Sequence, residues 1–244
     1  MRYDVADGVA SVAIDRASKK NALTLEMYEG LVAAFERAAE DEAARVILLH
    51  GAEGVFTAGN DLLDFMQNPP TGEDSAVFRF LLALWSAEKP VVVAVDGPAV
   101  GIGTTLLFHA DLIYASERAR FHMPFINLGL VPEGGSSFLL PRLAGYAKAN
   151  ELLMFGEPFD AQAALSIGLV NEVLPVDALL PRARARAREL AQRPAEALRA
   201  SKRLIREGTR EAVKATLQRE GAVFIERLTS PEAMAAFQAF FQRK

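Results

Sequence analysis

The pattern of apolar and polar positions predicts short strands alternating with helices over the first half of the chain. Val9–Ile14 follows an Asp-Gly turn and alternates as a strand does. Val46–Leu49 and Val91–Val95 are short apolar runs, typical of strands covered on both faces. Thr24 is a candidate cap for a helix whose apolar face carries Leu25, Tyr28, Val32 and Phe35. Further elements are predicted over Ser75–Ala87 (helix), Leu112–Ala115 and Arg120–His122 (strands).

From Gly134 onward the pattern is almost wholly helical, with a last short strand predicted over Leu169–Val173. Breaks in the helical pattern fall at Pro158, Gly168, Pro175, Pro194 and Pro231. The final segment, Ala233–Phe241, carries the large apolar side chains of Met234, Phe237, Phe240 and Phe241. Exposure of all four would leave a sizeable apolar patch, so this tail needs a partner surface on the core or on another subunit.

Composition points to a globular α/β protein and removes several kinds of chemistry. Of the 244 residues, 51% are apolar and 24% are charged, and there is no cysteine. Disulfides, thiol nucleophiles, iron–sulfur clusters and cysteine–zinc sites are therefore excluded. The three histidines lie far apart, outside any H-E-x-x-H helix, which disfavours a metal site but leaves open a carboxylate site for Mg²⁺. The net charge of −4 argues against an overall nucleic-acid binder.

The most apolar stretch does not fit a membrane span. Val91–Phe108 contains Asp96 and a Gly-Pro turn, so a buried strand, a turn and a helix are predicted there instead. The first residues include two acids and no apolar run, unlike a secretory signal. We therefore expect a cytoplasmic protein.

Two loops after predicted strands could expose useful polar groups. Asp15–Thr24 is either an ordinary strand-to-helix connection or an anion-binding loop that uses Lys19 or Lys20. Phe56–Leu62 is either a tight turn or a loop whose backbone N–H groups point at a developing oxyanion.

Two further segments precede predicted helices. Asp96–Thr105 is only a weak match to a phosphate loop, because it lacks the third glycine of the dinucleotide fingerprint and no G-K-[ST] follows. Its helix start would still offer free N–H groups. In Gly129–Ser137, Glu133 is either an acid that complements a helix N-terminus or a lone carboxylate base. Burial beside Leu130 and Val131 would raise its pKa.

Taken in order, these segments resemble the enoyl-CoA hydratase/isomerase (crotonase) superfamily over nearly the whole chain. Asn21–Thr24 is similar to the family's coenzyme A (CoA) adenine loop, Ala58–Leu62 to its first oxyanion loop and Gly97–Gly103 to its second. The family spacing extends to Ala110–Asp111 and Gly168–Val170. The resemblance implies a spiral of ββα units over residues 1–190 and a C-terminal helical oligomerisation region over residues 191–244.

The resemblance also assigns roles to residues. It implies that Asn60 and Ile102 donate backbone N–H groups to the thioester oxygen, with Glu133 as the catalytic acid–base group. The residues implied in substrate and CoA binding are Lys20, Ala22, Leu23, Ala58, Gly59, Asn60, Asp61, Leu62, Gly103 and Phe125. No metal or separate cofactor is implied, since coenzyme A enters as part of the substrate.

Departures from the family's hydratases favour a different reaction. Hydratases carry two glutamates, at positions occupied here by Thr105 and Phe125. Glu133 stands where the delta(3),delta(2)-enoyl-CoA isomerase branch has its glutamate. The resemblance thus implies movement of a double bond from 3-enoyl-CoA to 2-enoyl-CoA in fatty acid metabolism. Hydration, or another acyl-CoA reaction, is the alternative within the fold.

A binding or scaffolding role is the alternative from another class. The segment Val176–Arg210 holds ten basic and four acidic residues, and such a stretch could contact RNA, CoA phosphates or only solvent. It has no aromatic residues for base stacking, which counts against RNA. We expect an acyl-CoA thioester as partner, with neither nucleic acid nor membrane.

The apolar tail and the family resemblance together predict a homotrimer or hexamer. The tail would close the substrate pocket, and Arg243 and Lys244 would suit the helix C-terminus or reach CoA phosphates. Chain-length preference and the choice between trimer and hexamer do not follow from the sequence.

Overall fold

The computed structural model describes residues 1–242, so the roles predicted for Arg243 and Lys244 lie outside the described residues. The strands are β1 (Arg2–Ala6), β2 (Val9–Ile14), β3 (Val46–Gly51), β4 (Val91–Val95), β5 (Pro98–Val100), β6 (Leu112–Ser116), β7 (Arg120–His122), β8 (Phe159–Asp160) and β9 (Glu172–Leu174). A larger sheet has the order β1-β2-β3-β4-β6-β9, and a smaller one has β5-β7-β8. The pairs β1–β2 and β7–β8 are antiparallel, whereas all other neighbours are parallel.

The helices surround these sheets and dominate the second half of the chain. They are α1 (Leu25–Glu40), α2 (Leu62–Gln67), α3 (Ala76–Ser86), α4 (Ile102–Thr105), α5 (Ser136–Ala144), α6 (Tyr146–Phe155), α7 (Ala161–Ser166), α8 (Val176–Ala191), α9 (Ala195–Glu207), α10 (Arg210–Leu228) and α11 (Pro231–Gln242). The residues described contain no helix that is both long and apolar enough to cross a membrane.

The central strands read as continuous apolar runs because both of their faces are covered. Ile47 and Leu49 of β3 belong to the core that α1 and α3 complete, whereas Val46 and Leu48 pack with α8. All four side chains are at most 1% exposed. Burial on both faces is usual for parallel sheets.

The predicted spiral of ββα units is confirmed. The chain passes from β4 in the larger sheet to β5 in the smaller one and then into α4. It repeats the path through β6, β7 and a 3-10 turn at Ile126–Leu128. An earlier turn runs from β3 through Thr57, which makes a single parallel bridge to Ala99 of β5, and into α2. Each turn therefore delivers a loop from the small sheet to one side of the molecule.

Several sequence-based boundaries need correction. β1, β5 and β8 were not predicted, since β1 is a half-exposed edge strand with polar residues and the other two are very short. The last strand is Glu172–Leu174 rather than Leu169–Val173, because Leu169 and Val170 turn back to Ala164 before the strand begins. Leu25 is 41% exposed, since it starts α1 before the buried face develops.

The C-terminal helices pack onto the spiral of their own chain. α10 contacts α5, and α11 contacts the 3-10 turn at Ile126–Leu128. A Cβ on Gly129 would lie 2.7 Å from the backbone nitrogen of Ala233, so only glycine lets α11 approach this closely. Phe237 is buried, whereas Met234 and Phe240 stay 44% and 48% exposed. The core thus covers part of the apolar tail.

A buried ion-pair network joins α9 to the sheet. The Asp111 carboxylate accepts hydrogen bonds from Lys202 and Arg206, each at 2.7 Å, and from the backbone N–H of Val91, also at 2.7 Å. The Lys202 side chain is only 8% exposed, and its ammonium also donates to the Lys89 carbonyl. Burial lowers the pKa of Lys202 to about 8. One carboxylate therefore compensates two largely buried cations.

Replacing Asp111 with asparagine should destabilise the fold by roughly 3 kcal/mol, because Lys202 and Arg206 would lose their counter-charge. The exposed pair of Arg186 and Glu189 offers a matched control, and E189Q should cost less than about 1 kcal/mol. Urea unfolding of both variants measures the difference. If both variants lost the same small amount of unfolding free energy, the Asp111 network would contribute little to stability.

Candidate active site

A cavity of about 820 Å³ lies between the ends of the spiral loops and the C-terminal helices. Of the residues predicted for the site, those lining the cavity are Lys20, Ala22, Ala58, Gly59, Asn60, Asp61, Leu62, Ile102, Phe125 and Glu133. Leu23 and Gly103 are not among the lining residues. The structure thus brings together ten positions from five separate segments of the sequence.

Leu23 belongs to the core and acts through its backbone. Its side chain is 1% exposed. Its N–H donates to the Gly59 carbonyl and its carbonyl accepts from the Asp61 N–H, both at 2.8 Å, while the Ala58 N–H donates to Lys20 at 3.0 Å. These bonds join the loop before α1 to the loop before α2, edge to edge. The segment predicted to bind CoA therefore also fixes the first oxyanion loop.

Side chains strengthen the same junction. The Asp61 carboxylate accepts from Arg16 at 2.7 Å and from the Asp64 N–H at 3.3 Å, so it both pairs with a cation and caps α2. Hydrogen bonding to Arg16 is the main cause that lowers the pKa of Asp61. Asn21, fully buried, accepts from the Arg16 N–H at 2.6 Å and donates to Val55 at 2.6 Å. Sequence reasoning missed Arg16, whose role depends on a contact across 45 residues.

The two loops predicted to form an oxyanion hole lie against each other through glycines. Gly59 has φ +83°, and a Cβ there would lie 2.6 Å from the Val100 carbonyl oxygen. Gly103 is buried, and a Cβ there would lie 2.5 Å from a methyl carbon of Thr57. Gly103 thus serves the close approach of α4 to the first loop rather than direct contact with the cavity.

Two backbone N–H groups at this junction have no acceptor. Within residues 1–242, neither Asn60 nor Ile102 donates its backbone N–H to another group. Ile102 is the first residue of α4, where N–H groups have no partner in the preceding turn. Both residues line the cavity. A thioester oxygen placed there could accept from both.

Tyr28 orients the Asn60 side chain. Its hydroxyl donates to Asn60 Oδ1, and burial is the main cause that raises the pKa of Tyr28 well above its ordinary value. The hydroxyl therefore stays protonated and remains a donor. From sequence Tyr28 was predicted only as part of a buried helix face; its polar end could not be placed without the fold.

Glu133 faces the cavity from the loop before α5, and its carboxyl accepts a hydrogen bond from the Thr105 hydroxyl. Burial raises the pKa of Glu133 to about 8; the Thr105 hydrogen bond opposes this, and the charge of Glu220 adds to it. At pH 7 a carboxyl with this pKa is ionised in about one tenth of molecules. The pKa of Glu133 is thus raised, in the direction that its burial predicts.

The start of α5 is complemented by a different acid. Glu220 of α10 accepts from the N–H of Gly135 at 2.6 Å and from that of Ser137 at 2.8 Å. The helix N-terminus therefore does not hold the Glu133 side chain, which turns toward Thr105 instead. Glu220 carried no sequence signal, because it lies mid-helix and more than 80 residues away.

Cations and apolar side chains occupy different parts of the cavity. Lys19 and Lys20 line it beside Ala22 and are exposed to solvent, which is where an anionic substrate group could enter. The inner wall is apolar and includes Phe65, Phe78, Leu81, Phe125, Leu217 and Phe224. The rings of Phe125 and Phe224 meet edge to face at 6.4 Å. The cavity suits a ligand with a charged end and a hydrocarbon end.

The basic stretch of α8 and α9 contributes no residue to this cavity. Its ion pairs within the chain involve Arg182, Arg186, Arg188, Arg199, Lys202 and Arg206. Most of its cations therefore complement nearby carboxylates, four of them on exposed helix faces and two in the Asp111 network, and none lines the cavity.

Comparison with known proteins gives consistent matches along the whole chain. A model of the enoyl-CoA hydratase/isomerase family matches residues 4–244. Human "Enoyl-CoA delta isomerase 2" is 38% identical over 245 residues, which cover 98% of this chain but 62% of that relative. The "Probable enoyl-CoA hydratase" of Rhodobacter capsulatus is 33% identical over 247 residues, covering 100% of this chain and 95% of that protein.

Comparison with solved structures agrees with these sequence matches. The crystal structure of an enoyl-CoA hydratase/isomerase from Pseudoalteromonas atlantica has a TM-score of 0.94 and 43% identity, covering 100% of this chain and 97% of that one. The chain itself spans less than two thirds of the length of the isomerase relative.

The buried carboxyl predicts a pH-dependent stability difference for E133Q. Between its ordinary pKa of 4.5 and its folded pKa of about 8, the folded protein keeps a proton that the unfolded chain releases. Stability of the parent should therefore fall as pH rises through this window, and the uncharged variant should not share that loss. At about pH 9 the variant should have gained roughly 5 kcal/mol on the parent relative to about pH 4, because each unit of pKa difference is worth about 1.4 kcal/mol. Urea unfolding at both pH values tests this; an unchanged difference would contradict it.

Proposed function

The chain belongs to the enoyl-CoA hydratase/isomerase family, and from that premise we propose that it moves the double bond of a 3-enoyl-CoA to give the 2-enoyl-CoA. The observation that carries the proposal is the Glu133 carboxyl, which faces the cavity beside two backbone N–H groups that have no acceptor within residues 1–242. The other carboxylate of the lining, Asp61, is already engaged by Arg16 and by the start of α2. Shifting a double bond next to a thioester needs one proton acceptor and a place for negative charge.

The N–H groups of Asn60 and Ile102 would hold the thioester oxygen. Removal of a proton from C2 makes a dienolate whose negative charge collects on that oxygen. Each donor of this kind typically lowers a barrier by about 3 kcal/mol. Because both donors are backbone groups in glycine-packed loops, they need not reorganise as the charge develops.

Glu133 would remove the C2 proton and return it at C4. The carboxylate starts and ends the cycle ionised, so the reaction consumes no water and needs no redox or metal cofactor. Its high pKa makes it a stronger base than an ordinary carboxylate, at the expense of the fraction ionised at neutral pH. The apolar wall around Phe125 would take the acyl chain, and Lys19 and Lys20 would meet the charged groups of coenzyme A.

Hydration is the less favoured reaction of this cavity. Adding water requires one group to activate the water and another to protonate the α-carbon. Thr105 and Phe125 occupy the positions where the family's hydratases carry glutamates, and neither can do this. Thr105 is fully buried and binds Glu133, while Phe125 is packed against Phe224. The match to a protein named as a probable hydratase keeps this alternative open to test.

Other expectations from the sequence stay predictions. They include a cytoplasmic location, a trimer or hexamer, and the absence of a nucleic-acid role, for which the ion pairing of α8 and α9 is supporting evidence. The division into residues 1–190 and 191–244 is also a proposal.

Supplying 3-hexenoyl-CoA and 2-hexenoyl-CoA separately distinguishes the two reactions. An isomerase interconverts them, whereas a hydratase converts the second to 3-hydroxyhexanoyl-CoA. Product analysis by chromatography should show interconversion; formation of the hydroxy product at a comparable rate would overturn the proposal.

Glu133→Gln should lower kcat for isomerisation at least roughly 100-fold, because the base is removed. CoA affinity should be nearly unchanged, since in the proposed binding mode the CoA groups would contact Lys19 and Lys20 rather than Glu133. For the parent enzyme, kcat/KM should rise with pH and level off above about 8, where the free carboxyl is ionised. Steady-state kinetics and calorimetric binding of CoA measure these effects. Near-normal turnover by the variant would remove Glu133 from the mechanism.

Deleting residues 237–244 should raise KM for the CoA ester and weaken assembly. Phe237, Phe240 and Phe241 line the cavity, so their loss opens it to solvent. Met154→Ala, at an exposed apolar position outside the cavity lining, is a control for KM. Sedimentation measures the role of the tail in assembly, and kinetics measures its role in substrate binding. A truncated chain that sediments like the intact one and keeps its KM would show that the tail has neither role.

A further inference from the structure

Glu220 is a buried acid with no part in the proposed reaction. It lies in the middle of α10, is 6% exposed and reaches across to the start of α5. Its two carboxylate oxygens each accept one backbone N–H, from Gly135 at 2.6 Å and from Ser137 at 2.8 Å. Both N–H groups belong to the first turn of the helix that follows Glu133.

The N-terminus of a helix attracts negative charge, because its first N–H groups have no partner and the helix dipole is positive there. Glu133 precedes this helix by only a few residues, so its own carboxylate would be the natural acceptor. A carboxylate that accepts backbone N–H bonds becomes a weak base. With Glu220 already in place, the helix N–H groups are taken and the positive end is balanced.

The backbone around Glu133 is held independently of Glu220. The Ser136 hydroxyl donates to the Glu133 carbonyl at 2.7 Å, and His109 donates to the Gly134 carbonyl, also at 2.7 Å. Gly134 has φ +67°, and a Cβ there would lie 2.8 Å from the Thr105 hydroxyl oxygen. The loop therefore directs the Glu133 side chain toward Thr105 and away from the helix axis.

We propose that Glu220 is a positioning residue that keeps the start of α5 from binding Glu133, and so sets the pH at which Glu133 becomes a base. This inference rests on the proposed function for its catalytic meaning, although the electrostatic effect itself is present without substrate. Thr105 has the opposite effect, because its hydroxyl stabilises the ionised form of Glu133.

Few other titratable groups face this pair. Tyr28 approaches Glu133 from α1, and burial keeps its hydroxyl neutral. His109 lies beneath Gly134 and Gly135 in the turn after α4, and burial lowers its pKa to about 4, so it is neutral across the same range. Burial raises the pKa of Glu220, whereas the hydrogen bonds from Ser137 and Gly135 and the charge of Arg219 oppose this rise. The charge of Glu220 raises the pKa of Glu133.

The test compares E220Q with T105A. In E220Q the like charge is gone and the helix end is unbalanced, so the apparent pKa of Glu133 should fall by about one unit. In T105A a hydrogen bond to the charged form is lost, so the pKa should rise. The acid limb of the kcat/KM profile should therefore move to lower pH in the first variant and to higher pH in the second.

Carbon-13 NMR of protein labelled at the glutamate side-chain carboxyls follows Glu133 without any turnover, with E133Q to assign its signal. If the signal shifts as predicted in a protein that does not isomerise 3-hexenoyl-CoA, the proposed function fails while this inference stands. If E220Q is folded and the Glu133 titration is unchanged, the inference fails. If Glu220 had only a structural role, its replacement would lower stability and kcat to the same extent at every pH and would leave the pH profile unshifted.

The parent protein offers a test that does not depend on whether E220Q folds. Glu220 can balance the helix end only as a carboxylate, so its signal must titrate at lower pH than that of Glu133. A Glu220 signal that titrates above Glu133 would overturn the inference.

Discussion

The hydrogen bond between Thr105 and Glu133 is the contact on which the proposed chemistry depends. Thr105 ends the short helix α4, whose first residue, Ile102, presents a free N–H to the cavity. One helical turn thus fixes the proposed base relative to one of the two proposed oxyanion donors. Gly134 makes this possible, because any side chain there would collide with Thr105. A small shift of α4 would therefore move the Ile102 N–H and the Glu133 carboxyl in the same direction.

The rest of the fold brings the second donor to the same point. Parallel strands end at one side of the sheets, and each ββα turn delivers a loop there. Backbone bonds between Leu23 and Gly59, together with the Arg16–Asp61 pair, hold the first loop, and Gly59 lets it contact the second. The site is therefore built mostly from backbone geometry, with Glu133 as the side chain proposed to react.

Sequence reasoning succeeded where the signal was local. The apolar runs of β2, β3 and β4, the Thr24 cap and the two glycine loops each follow from short-range physics. It could not find Arg16 or Glu220, whose partners lie 45 and more than 80 residues away. It assigned Leu23 and Gly103 to substrate contact, because a motif does not reveal whether a residue touches a ligand or supports the loop that does.

Transfer of a proton from C2 to C4 by one carboxyl is the step on which the proposed function depends. It is tested most directly with 3-hexenoyl-CoA carrying deuterium at C2, incubated in ordinary water and analysed by mass spectrometry and NMR. Because Glu133 is half-buried in a cavity with a largely apolar wall and accepts a hydrogen bond from Thr105, we expect 2-hexenoyl-CoA in which a substantial fraction of the abstracted deuterium has moved to C4. A product whose C4 position carries hydrogen from the solvent alone would contradict it.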